Sequence, residues 1–274
     1  MAREDLSLAK LAEAHWDACA ILEEAGRTPV PDDVYAVWAS RSPECAIRLE
    51  RGFLTGQKPF CSGAGLVDRA LITLDEPCDL LAEIDLAAHR DSVSIELSSW
   101  VSPAFADTQT GTIAFDDFEI DPSCIVGAEG WYLQRPGFWH GACSPAACWA
   151  GGATGLLDYG VASSRSDPHT LAHLGAIAAE VAGMEAVLAW AAAEMDAAPQ
   201  DVGAAHRRAL SVRHLIESAC TRILTGFGRA FGPHPLAMDL GISRRFAEIE
   251  LYIRQCHAER DLQQLGGAMR GYLE

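Results

Sequence analysis

The chain has 274 residues, 49% of them hydrophobic and 22% charged, with 38 acidic against 21 basic side chains and a formal net charge of -17. That length and composition suit a soluble protein of about two domains with ample core, and the acidic balance argues against nucleic acid or an anionic membrane as partner, since both need a basic face. No apolar run reads as a membrane span, and the start, Met1-Ala2-Arg3-Glu4-Asp5, is too acidic to open a signal peptide, so a cytoplasmic location is expected. The nine cysteines include no Cys-x-x-Cys pair and no zinc spacing; they read as free, mostly buried thiols, and no metal site is expected.

In chain order, Leu6 to Gly26 carries apolar residues at helical spacing and stops before Pro29 and Pro31, which predicts one amphipathic helix within an N-terminal remnant of residues 1–34. From 35 to 130 the character changes to short β-prone runs separated by Gly, Pro and Asp: Ala46–Leu49, Arg69–Leu74, Leu80–Leu86, Ser92–Leu97, Gly111–Phe115 and Phe118–Ile120. Their spacing suits a compact antiparallel barrel or sandwich, and a small antiparallel β-barrel is the expectation. Residues 131–274 are helical in pattern, in four long segments (Phe138–Ser164, His169–Asp196, Asp201–Phe231 and Ile242–Gly266), and predict a C-terminal four-helix bundle.

Three motifs in that order carry a family resemblance. Gly56-Gln57-Lys58-Pro59-Phe60-Cys61-Ser62 resembles the Gly-x-Lys-x-(Phe/Trp)-(Ile/Cys)-(Thr/Ser) entry strand of the acyl-CoA dehydrogenase family. Thr108-Gln109-Thr110 through Phe118-Glu119-Ile120 resembles its later strand pair, and Gly226-Phe227-Gly228-Arg229 its glycine turn that meets the cofactor of a neighbouring subunit. The chain is similar to a shortened member of that family, lacking most of the N-terminal helical domain.

The resemblance implies an FAD-dependent oxidoreductase acting on an acyl thioester such as acyl-CoA by α,β-dehydrogenation, with an electron-transfer flavoprotein as acceptor and a homodimer or higher oligomer as the assembly. An isoalloxazine ring needs an apolar shelf and donors at its N5 and O4 edge. By position the shelf falls to Phe60, Cys61 and Ser62, with Trp38 where the family places a flavin-contacting threonine; Phe60 packing into the β-domain above a tight turn is the other reading. Arg229 falls beside the glycine turn, where a fixed guanidinium suits a pyrophosphate.

The family's catalytic glutamate has no counterpart in Ser144–Gly152 or in Tyr252–Asp261. His140, in the aromatic-rich turn Gly130–Ala142, and His257, near the C-terminus, are the candidate acid/base groups. The turn's aromatics also suit a packed seam, and His257 with Asp261 also suits a helix-face ion pair. The absent glutamate leaves a second expectation: a catalytically degenerate subunit that keeps the fold for scaffolding or partner binding.

Overall fold

The computed structural model describes residues 1–42, 45–76 and 79–272, in two compact units, Leu11–Phe138 and Met1–Lys10 with Trp139–Glu274. Cys78 lies outside the described residues, and the other eight cysteines are free.

The Leu11–Phe138 unit takes most of helix α1 (Leu6–Glu24), which ends before Gly26 at φ +72°, a left-handed conformation glycine adopts freely. Strands β1 (Tyr35–Trp38), β4 (Arg69–Leu74) and β5 (Leu80–Asp85) form a three-stranded sheet in the order β1-β4-β5. Strands β2 (Ile47–Glu50), β3 (Phe53–Cys61), β7 (Gly111–Glu119) and β6 (Val93–Glu96) form a four-stranded sheet in the order β2-β3-β7-β6.

The expected barrel is therefore corrected: neither sheet closes, and the two are bridged only locally among the described residues, at Arg48↔Glu76. The purely antiparallel expectation is corrected too, because β1 runs parallel to β4. The two runs Gly111–Phe115 and Phe118–Ile120 fuse into the single strand β7. Closure is unnecessary here, since the two sheets share one apolar core of Trp38, Leu54, Ile72, Ile84, Ile113 and Phe115. The far side of the smaller sheet is covered by α1 through Ala18, Ile21 and Leu22 against Tyr35, Leu71 and Leu81. This explains why β4 is buried on both faces and reads as a continuous apolar run.

Gly56 anchors the start of the entry strand. Its φ of +111° is open to glycine alone, and a Cβ there would run into the Ala46 carbonyl.

The short helix α2 (Trp131–Gln134) closes the first unit, and α3 (Pro136–Gly141) straddles its end at Phe138. The second unit is helical: α4 (Ser144–Ala162), α5 (Pro168–Ala197) and α6 (Val202–Phe231), then α7 (His234–Met238), α8 (Leu240–Tyr252) and α9 (Glu259–Tyr272). Three of the four predicted starts hold because the sequence supplies caps: Asp167 accepts from the His169 and Thr170 amides, Asp201 from Ala204 and Asp239 from Ile242. The predicted helices Phe138–Ser164 and Ile242–Gly266 are each broken, between α3 and α4 and between α8 and α9. Helices α4, α5, α6 and α8 pack together, and α9 lies against α6.

Helix α5 corrects one sequence expectation. It is long and apolar enough to cross a membrane by length and composition alone, with mean hydropathy 1.5 over an 18-residue window of which only 22% is buried. Alanine and glycine spread over all its faces hide this from a search for bulky apolar residues.

Candidate active site

The entry strand ends in a distortion. The register of β3 against β7 shifts between Lys58 and Cys61, and the bulge swings Phe60 outward to 62% exposure at φ +62°. A bulky residue with positive φ is a genuine outlier, costing of order 1 kcal/mol or more, and such strain concentrates at functional sites. Opposite the turn, the loop before β7 carries two more left-handed residues, Phe105 at φ +61° and Gln109 at φ +44°. The two segments are joined where the Gly63 amide donates to the Thr108 carbonyl at 2.8 Å.

Three hydroxyls line this junction. Thr108 Oγ1 donates to the Phe105 carbonyl at 2.8 Å and shares a 2.8 Å contact with Thr110, whose hydroxyl donates to Ser62 Oγ at 3.2 Å. The turn thus offers an open aromatic ring near the partly exposed Ser62, whose hydroxyl is backed from within by the buried Thr110 and Thr108. Thr108 and Thr110 were legible only as part of a strand motif; the contact of Thr110 with Ser62 spans 48 residues and has no local signal.

Two expected contacts are taken out of reach by burial. Trp38 is 2% exposed, and its indole N–H donates to the Ser62 carbonyl at 2.9 Å, so it fastens the turn from inside. Cys61 is fully buried; its thiol donates to the Lys58 carbonyl at 3.2 Å, and burial pushes its pKa up to about 12. The alternation of a strand explains Cys61: once the bulge sends Phe60 out, Cys61 points in. Trp38 is buried because it packs in the core shared by the two sheets.

Lys58 completes the support. Its ammonium is 2% exposed, donates to the Ser40 carbonyl at 2.9 Å and Thr73 Oγ1 at 3.2 Å, and lies 4.0 Å from Asp75. Burial lowers its pKa, with the nearby carboxylate opposing.

In the helical unit His140 is held at both ring nitrogens. Arg208 Nη2 can only donate, so His140 Nδ1 accepts at 2.9 Å; Nε2 must then carry the proton and donates to the Pro199 carbonyl at 2.9 Å. A histidine so engaged has no free nitrogen for catalysis, which corrects its expected role. Arg208 is 2% exposed, with Glu194 3.7 Å away. Its Nε and Nη1 have no hydrogen-bond partner among the described residues.

His257 is different. Its side chain is 55% exposed, with Nδ1 3.4 Å from Asp261 Oδ1, so the two side chains meet as expected and the ring stays open. Arg229 lies in a groove of about 300 Å³ between α5 and α6, beside Gly226, Thr225 and His173, and makes no ion pair among the described residues. Arg222, in the same groove, is held by both oxygens of Glu180. No group of three or more metal-binding side chains occurs among the described residues.

No family model matches the chain, and no curated protein matches it in sequence. Solved structures do match, over nearly all of it. KijD3 in complex with FMN and a dTDP-linked amino-keto sugar superposes with TM-score 0.83 at 17% identity, covering 100% of this chain and 77% of that one. TdsC from Paenibacillus sp. A11-2 with FMN and indole, described elsewhere as a dibenzothiophene monooxygenase, gives 0.79 at 18% identity over 99% and 81%. XiaF from Streptomyces sp. in complex with FADH2 and glycerol gives 0.77 at 14% identity over 98% and 78%. The chain therefore has the acyl-CoA dehydrogenase-like fold on which these flavin-binding proteins are built.

Proposed function

We propose that the protein is a flavin-dependent oxidoreductase acting on a small molecule, with the flavin ring against the turn at Phe60–Ser62. The observation that carries this reading is the strained, outward Phe60 two residues from the partly exposed Ser62, on a fold shared with flavin-binding proteins.

The turn suits the ring chemically. Phe60 supplies an apolar surface already exposed, the partly exposed Ser62 supplies a polar group near it, and the buried Thr110 and Trp38 hold Ser62 from within. A bound flavin supplies two-electron transfer at its N5 edge. The groove at Arg229 suits the phosphate of a neighbouring subunit's cofactor, because a guanidinium with no ion-pair partner among the described residues, beside a glycine, admits close approach. The FMN and FADH2 of the neighbours support a flavin of either kind.

Dehydrogenation of an acyl thioester, passing electrons to an electron-transfer flavoprotein, finds less support. It needs a carboxylate base. Asp158, the acid of α4, is held by Arg3 through both oxygens, at 2.5 and 2.6 Å. His257 is the open acid/base group, and the sugar and aromatic ligands of the neighbours favour a substrate other than acyl-CoA. The missing carboxylate also favours the second reading, a non-catalytic subunit.

The exposed small-residue surface of α5, with Leu171 49% and Trp190 42% exposed, supports self-association through that helix. Titrating purified protein with FMN and with FAD tests the reading. Visible flavin bands that stay with the protein at one per chain support it, and a protein left colourless by both overturns it.

A further inference from the structure

We propose that Asp261 is a positioning residue that sets the tautomer of His257 and leaves its outward nitrogen Nε2 as the proton acceptor. The catalytic half of this statement rests on the reading of the chain as an oxidoreductase; the tautomer half stands on geometry alone.

His257 lies at the corner between the turn Ile253–Gln255 and α9. The Asp261 side chain is 8% exposed and the His257 side chain 55%. Asp261 uses its two oxygens differently. Oδ2 accepts from the backbone amide of His257 at 3.2 Å, the bond a helix start requires. Oδ1 is then left 3.4 Å from Nδ1 of the ring. Capping needs one oxygen, and the second faces the imidazole. A carboxylate only accepts, so the contact is favourable when Nδ1 carries the proton, and the neutral ring then has its lone pair on Nε2.

The corner is built to hold this arrangement. Ala258, between the two residues, has φ +44°, a conformation that costs a non-glycine residue free energy. From behind, Arg213 donates to the Gln255 carbonyl at 2.5 Å and the Ala142 carbonyl at 3.0 Å, with its guanidinium 4.9 Å above the Trp149 ring. A ring fixed on such a support acts on a proton in a defined direction. A substrate O–H or N–H gives its proton to Nε2, the substrate is left as the anion, and the imidazolium charge faces Asp261. The exposed ring then returns the proton to water.

Long-range proton–nitrogen NMR of the full chain, labelled at histidine, reads the tautomer without turnover or cofactor. The expected result is a neutral His257 with its proton on Nδ1. In Asp261→Asn the amide oxygen can keep the backbone bond, which turns the NH2 toward the ring and demands a lone pair on Nδ1, so the proton moves to Nε2. A wild-type ring protonated mainly on Nε2 overturns the proposal even if the variant does not fold, and so does a folded variant with an unchanged tautomer. With a substrate, His257→Gln lowers kcat about 100-fold, and adding Asp261→Asn lowers it little further. Equal, multiplicative losses overturn the coupling. Failure of flavin to bind overturns the functional reading and leaves the tautomer result standing.

Discussion

The indole N–H of Trp38 donates to the backbone carbonyl of Ser62 at 2.9 Å, tying the end of β1 to the turn that closes the entry strand. The bond makes a buried tryptophan the fastener of an exposed turn. Trp38→Phe keeps most of the packing and leaves a carbonyl without its donor, at a cost of about 1–3 kcal/mol. Denaturant unfolding checks this through the midpoint, with an unchanged slope. An unchanged midpoint shows that the bond holds nothing.

Phe60 combines exposure with a left-handed backbone, so stability and binding are expected to part there. Phe60→Gly relieves the strain and stabilises by about 1 kcal/mol, while flavin affinity falls. Thermal melts and flavin titration of the same preparation test both halves. A variant that loses stability argues that Phe60 packs in the folded protein.

The His140 and Arg208 pair is structural. His140→Ala removes the acceptor of a buried guanidinium that already has two unbonded nitrogens, and a loss of about 3 kcal/mol is expected. His140→Gln, which can accept and donate at similar reach, recovers part of it. A stable His140→Ala protein with lost activity points instead to catalysis.

Arg3 holds the Asp158 carboxyl below its ordinary value of 3.8 by hydrogen bonding first and by charge second. Because the folded-state value is the lower one, the contribution is complete above the unfolded value and drains away as pH falls through the folded one. Unfolding midpoints measured from pH 6 down to pH 3, about the range where carboxylates titrate, should fall less steeply in Asp158→Asn. Parallel curves exclude the linkage.

Burial pushes the thiols of Cys61 and Cys220 up to about 12 and that of Cys143 to about 11, whereas Cys45 and Cys124 are partly exposed. Under native conditions an alkylating reagent should label Cys45 and Cys124 first and spare the other three, since the thiolate is the nucleophile. Mass spectrometry of the digested protein reads the order. Early labelling of Cys61 shows that the entry strand opens.

Much of the architecture was legible in the chain. Periodicity and caps placed α1, α5, α6 and β4 to within two residues, because helix and strand repeats and the Asp167 and Asp201 caps are local properties. The motif order around Gly56 and Gly226 pointed to the fold. The site was less legible. By sequence position Trp38 and Cys61 face a ligand, yet both are buried, while Phe60 is exposed. A sequence repeat specifies which residues share a face of an element. Which face meets a core is set by packing between segments far apart in the chain: the bulge opposite β7, the Ser62–Thr110 contact and the His140–Arg208 bond each join residues 48 or more apart, and only the tertiary structure decides them.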